Sequence, residues 1–205
     1  MLSMNLTIRG LSVLVIGGGT VGRRKAELAA AAGGIVTIVD PQPLQSPLPA
    51  GITHAPESFD PAHLDGVRLA FACATPEVNA AVVAAAKARG VWVCSASDPA
   101  SGDFVLPSVA RRGELTFAVS TCGASPALAR RIAAGLLDQF DDSYAAWVRV
   151  LGEVRTAVLQ HVPDPAARRR LLTDFADPVW LARIRTAGTD VALAEMLGRV
   201  RSGDV

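Results

Sequence analysis

The chain is poor in aromatic residues: one Tyr, three Trp and six Phe make up 5% of its 205 residues. Half of it is nevertheless apolar, so its core has to be built from Ala, Val, Leu and Ile. Cysteine is scarce as well. Cys73, Cys94 and Cys122 are odd in number and form no CxxC, which implies neither a disulfide framework nor a zinc site. Cys73 and Cys94 sit in apolar, strand-like runs and read as core residues. An excess of one charge is also missing. A formal net charge of +1 excludes a general nucleic-acid binder, which releases counterions with a strongly basic surface. Any anionic ligand must therefore be held by local arginines. No apolar stretch approaches the roughly 18 residues of a membrane span, and no basic segment followed by an apolar run opens the chain. A soluble, cytoplasmic protein is expected. His54, His63 and His161 are isolated and read as loop or surface residues, so no metal site is expected. Nucleophile-elbow, Walker A and zincin motifs are absent.

What is present is concentrated at the N-terminal end. The apolar run Leu11–Ile16 leads straight into Gly17-Gly-Gly19-Thr20-Val21-Gly22, a Gly-x-Gly-x-x-Gly motif, and a helical pattern follows. Gly17 permits a tight turn, Gly19 lets a pyrophosphate approach the backbone, and Gly22 lets helix and strand pack closely. The helix start presents free N–H groups and a positive dipole end to phosphates. A second apolar run, Ile35–Val39, ends in Asp40, about 20 residues on, where such sites place a ribose-binding acid. An acid there accepts from the 2′-OH and repels a 2′-phosphate, which favours NAD over NADP. Asp40 also reads as a simple strand-end turn residue before Pro41.

Residues 1–110 alternate strands and helices, the signature of a Rossmann-type parallel α/β sheet. Strands are predicted at 51–54, 68–73 and 91–94, with a helix from Pro76 to Arg89. After Pro107 the pattern changes. Arg111-Arg112-Gly113 reads as a basic turn, residues 114–120 as a strand, and Ser125-Pro126 as the start of a helix to about Phe140. Helices are predicted thereafter at 144–161, 165–175, 178–185 and 191–201, each starting near Asp or Pro. The expected organisation is a dinucleotide-binding domain at 1–110, a strand–helix unit at 111–140 and a small helical domain at 141–205.

Two groups of polar residues are candidates for chemistry. Asp98, after the strand ending near Ser95, lies at the carboxyl edge of the sheet, where open α/β folds bind ligands. It reads as a general base, or equally as the opener of an Asx turn before Pro99. Thr75 and Asn79 follow the preceding strand and could contact the nucleotide; Thr75 reads equally well as a helix N-cap. Further on, Thr121 and Ser125 lead into a helix start suited to holding a carboxylate, and Arg130 and Arg131 offer charge-assisted donors or form a solvated helix face.

These segments, in this order, resemble the precorrin-2 dehydrogenase/sirohydrochlorin ferrochelatase family. The residues that carry the resemblance are Gly17 to Lys25, Ala74-Thr75 with Asn79, Asp98-Pro99 with Phe104 to Pro107, and Val119 to Arg130. They span about residues 5–140; the tail is similar only in length and helical character. The resemblance implies NAD-dependent oxidation of precorrin-2 to sirohydrochlorin, with ferrous or cobaltous ion inserted by many members. It implies a homodimer intertwined through residues 111–140. The family's catalytic aspartate maps onto Asp98, and Thr121 falls where members carry Ser or Thr near the tetrapyrrole. Ser95 departs from a common Asn. Two other functions compete: an NAD-sensing regulatory module, and a tetrapyrrole carrier without dehydrogenase activity.

Overall fold

The computed structural model describes residues 2–44 and 46–202. Two compact units divide the chain, Met1–Leu106 and Pro107–Val205. In the first, five strands form one parallel sheet: β1 (Ser12–Ile16), β2 (Ile35–Val39), β3 (Ile52–Ala55), β4 (Leu69–Ala72) and β5 (Trp92–Ser95). Their order is β3-β2-β1-β4-β5. The strands are near-continuous apolar runs because both faces are covered. Alternate residues go to opposite faces. Val13, Val15, Ile38, Phe71 and Cys94 pack beneath α1 (Thr20–Ala31), and Leu14, Ile16, Ala70, Ala72 and Val93 pack beneath α2 (Pro76–Ala88). Each fully buried Val or Ile contributes about 1.5–3 kcal/mol relative to exposure, which makes up for the scarcity of aromatics. Strand order reverses between β1 and β4, so their carboxyl ends open into the crevice where doubly wound sheets hold ligands.

The second unit begins with a hairpin that the sequence pattern did not reveal. Arg111 and Arg112 are not a turn. They close a strand, β6 (Ser108–Arg112), antiparallel to β7 (Leu115–Val119), with Arg112 opposite Leu115. The turn is Gly113-Glu114, and Gly113 has φ +56°, as two-residue hairpin loops require at their first position. Helix α3 (Pro126–Leu137) packs on this hairpin and ends three residues before Phe140, whose ring stacks between Phe117 and Tyr144, 4.8 Å from each. Helices α4 (Asp142–His161), α5 (Pro165–Asp174), α6 (Pro178–Ala187) and α7 (Thr189–Ser202) share one core. Trp147, Val150, Val154 and Val158 form the buried stripe of α4, spaced three and four apart as a helix face demands. Asp141, Asp164 and Asp177 cap the starts of α4, α5 and α6 with side-chain hydrogen bonds. Among the described residues no helix is long and apolar enough to cross a membrane.

Candidate active site

The three motif glycines do different work. Gly17 has φ +100°, and its N–H donates to the Val39 carbonyl (2.9 Å). A Cβ there would stand 2.5 Å from the Cys73 carbonyl oxygen and 2.8 Å from the Ala74 nitrogen, so the turn lies directly against the end of β4. Gly22 is tighter still: a Cβ would meet the Gly17 carbonyl oxygen at 1.8 Å. Gly19 is the opposite case, an extended residue at the N-cap of α1 with nothing within 4 Å of its Cβ position. No side chain caps α1 and no acid occupies its first turn. Its leading N–H groups, at the exposed Thr20 and Val21, therefore face an open cradle that an anion can fill. That cradle fits a dinucleotide pyrophosphate.

Asp40 ends β2 with both carboxylate oxygens engaged: Oδ2 accepts from Gly18 N (2.6 Å) and Oδ1 from Gln42 N (2.8 Å). The acid thus braces the glycine loop and also forms the local turn. The proline-rich segment after it is held by a residue to which the sequence reading gave no role of its own. The Arg23 guanidinium donates to the carbonyls of Ser46 (2.7 Å) and Pro47 (2.9 Å), and Leu44 lies over Gly18. Lys25 likewise had no individual role in that reading. It is buried on the inner face of α1, with Nζ 3.4 Å from Cys94 Sγ and 5.1 Å from the centre of the Phe71 ring. Burial pushes the neighbouring Cys73 thiol up to about 11, which favours the protonated form at neutral pH.

Thr75 caps α2, accepting from Val78 N at 3.4 Å. Asn79 is only 1% exposed and points inward, away from solvent. Its amide binds Ala74 N and O, and Ser97 Oγ. Asp98 is exposed and follows β5; its N–H donates to Ser95 Oγ (3.2 Å) and its carboxylate accepts from Ala100 N (3.2 Å). Ser95 therefore has a structural task here, orienting the backbone at Asp98. The glycine loop, Asp40, Thr75, Asn79 and Asp98 all gather at the carboxyl edge of the sheet.

The remaining candidates belong to the second unit. Thr121 Oγ1 accepts from Ser125 N (2.9 Å), and Ser125 Oγ caps α3 through Leu128 N (3.2 Å). Arg130 and Arg131 are exposed on the first turns of α3 and enter no ion pair among the described residues. Among the described residues no group of three His, Cys, Asp or Glu could hold a metal ion.

A protein-family model described as "Putative NAD(P)-binding" matches residues 4–108. The chain belongs to this NAD(P)-binding family. The matched segment contains the glycine loop, Asp40, Asn79 and Asp98, and a nicotinamide dinucleotide is the cofactor of the chain. A siroheme synthase of Chromobacterium violaceum is 35% identical over 203 residues, 97% of this chain and 43% of that protein. One of Tolumonas auensis is 33% identical over 197 residues, 94% of this chain and 42% of that protein. The chain thus spans under half the length of these curated relatives. Among solved structures, the precorrin-2 dehydrogenase SirC superposes with a TM-score of 0.75 at 25% identity, covering 98% of this chain and all of that one. The resemblance carried by the ordered motifs, and the Rossmann-type fold it implies, both hold.

Proposed function

We propose that this family member is an NAD-dependent precorrin-2 dehydrogenase that forms sirohydrochlorin in siroheme or cobalamin synthesis. The observation that carries the reading is Asp98, an exposed carboxylate on the same sheet edge as an open pyrophosphate cradle. When bound, NAD supplies the hydride acceptor. The N–H groups of Thr20 and Val21 would hold its phosphates, and Asp40 would accept from the ribose and disfavour a 2′-phosphate. Thr75 lines the nucleotide side of the crevice. Oxidation of a partly reduced tetrapyrrole also releases a proton, and Asp98 accepts it. The carboxylates of such a substrate call for donors, and Arg130, Arg131 and the α3 start at Thr121 and Ser125 offer them. Ferrous or cobaltous ion would be a second substrate, its insertion assisted by Asp98 taking pyrrole N–H protons. A homodimer is part of the proposal: Val109 on β6 and Leu128 and Ile132 on α3 are apolar yet expose 48%, 50% and 41% of their surface, which a second copy would cover.

The test is incubation with precorrin-2 and NAD, following sirohydrochlorin absorbance, then adding ferrous or cobaltous ion. Asp98→Ala should lower oxidation about 10²–10⁴-fold with NADH binding unchanged. Gly19→Asp, which puts a negative charge in the cradle, should abolish oxidation and spare metal insertion. If unmutated protein binds NADH but leaves precorrin-2 untouched, the sensor or carrier reading replaces this one.

A further inference from the structure

The strands β4 and β5 run side by side, and the last bond of their ladder is Ala96 N to the Ala72 carbonyl (2.9 Å). Beyond it the two chains part, one toward Ala74 and Thr75, the other toward Ser97 and Asp98. Asn79 spans the fork from below. Its Oδ1 accepts from Ala74 N (2.8 Å), while Nδ2 donates to the Ala74 carbonyl (3.2 Å) and to Ser97 Oγ (2.9 Å). Both amide hydrogens are thereby spent, and the side chain is 1% exposed. A buried amide so fully used has no donor left for a cofactor.

The atoms it joins matter. A Cβ on Gly17, the first residue of the glycine loop, would stand 2.8 Å from the Ala74 nitrogen, so the two are close neighbours. Ser97 immediately precedes Asp98, whose N–H is held by Ser95 Oγ (3.2 Å) and whose carbonyl accepts from Ser101 Oγ (2.8 Å). A continuous chain of contacts therefore runs from Gly17 through Ala74, Asn79 and Ser97 to Asp98. We infer that Asn79 is a positioning residue and not a cofactor ligand: through Ser97 it fixes the Asp98 carboxylate relative to the dinucleotide loop. The inference rests on the reading of Asp98 as the proton acceptor. It replaces the sequence expectation that Asn79 touches the nucleotide.

Ser97 gives the clean test, because its side chain is exposed and removing it leaves the Asn79–Ala74 ring intact. Ser97→Ala should lower kcat for precorrin-2 oxidation about 10- to 100-fold, the effect of a misplacement near 1 Å, with the KM for NAD and the NADH affinity unchanged. Ser97→Thr keeps the hydroxyl and should restore the rate. Asn79→Ala should lose at least as much kcat, and adding Ser97→Ala to it should cost nothing more, since both remove one link. Asp98→Ala is run alongside. If it stays inactive while Ser97→Ala and Ser97→Thr both turn over at the unmutated rate, the positioning role is overturned and the base stands. If Asn79→Ala weakens NADH binding and leaves kcat intact, Asn79 is a ligand and the inference fails. Full activity in Asp98→Ala overturns the base and the positioning role together.

Discussion

Gly22 and Gly19 sit three residues apart in one motif, yet the structure assigns them opposite sensitivities. A methyl group on Gly22 would lie 1.8 Å from the Gly17 carbonyl oxygen, and real Cβ atoms essentially never approach closer than 3.0 Å. Something must move by about 1.2 Å, and the atoms involved are main chain on both sides. The helix α1 carries the strain, lifting the buried Ala26 and Ala29 off Val13, Val15 and Ile38. Overpacking costs about 1–3 kcal/mol when side chains can adjust. Here they cannot, so the upper end or beyond applies, offset by about 1 kcal/mol of helix propensity. Gly22→Ala should therefore destabilise the first unit by roughly 2–3 kcal/mol, lowering its melting temperature by about 10–20 °C for a unit of this size. Gly19→Ala meets open space at φ −67° and should cost under about 1 kcal/mol, the scale of a changed N-cap. Its methyl group nevertheless fills the cradle and should weaken NADH binding sharply. Scanning calorimetry and titration of NADH fluorescence read the two effects separately. A Gly22→Ala protein melting with the parent, or a Gly19→Ala protein binding NADH as well as the parent, refutes the division of labour.

Asp40→Ala should narrow the preference for NAD over NADP in steady-state rates; equal use of both cofactors by the unmutated protein would sink that assignment. Sedimentation equilibrium should show a dimer at micromolar concentration, and Ile132→Asp should shift it to monomer; a stable unmutated monomer would refute the assembly. Hydrogen bonds from the N–H groups of Ala167 and then Ala166 hold the Asp164 carboxyl below the usual aspartate range. Its folded form is thus favoured when ionised, so its contribution is present above that range and lost as pH falls through the lowered value. Thermal melts against pH should show an acid-side decline that Asp164→Asn flattens; identical profiles would contradict it.

Most of the sheet was legible because its strands are buried on both faces and announce themselves as apolar runs closed by Gly, Pro or Asp. The glycine loop was legible because its spacing has a mechanical reason at every position. The strand β6 was not. Ser108-Val-Ala-Arg-Arg112 has burial that alternates only between half-covered and exposed, so no hydrophobic period marks it, and its identity depends on pairing with β7. Helix starts were readable from Asp-Pro and Ser-Pro pairs, since the cap and the fixed proline φ act locally. Asn79 was read as a nucleotide contact; that its amide ties Ala74 to Ser97 was not legible, because a side chain that ties two loops differs from one that meets a ligand only in its direction. Arg23 and Lys25 went unread for the same reason: a charged residue on a helix near a glycine loop suggests phosphate, whereas one reaches carbonyls 23 and 24 residues away and the other a thiol 69 away.

The three hydrophobic clusters never share a residue across the division near Leu106: two belong wholly to the sheet unit, and the third, with Trp147, Phe175, Trp180 and Met196, wholly to the helices. Natural selection can therefore act on the two at different tempos. A substitution that loosens the helical core is expected to find its compensating change among the helical positions that share that core. The glycine loop and strand ends, locked together by main-chain contacts, should change slowly and in concert.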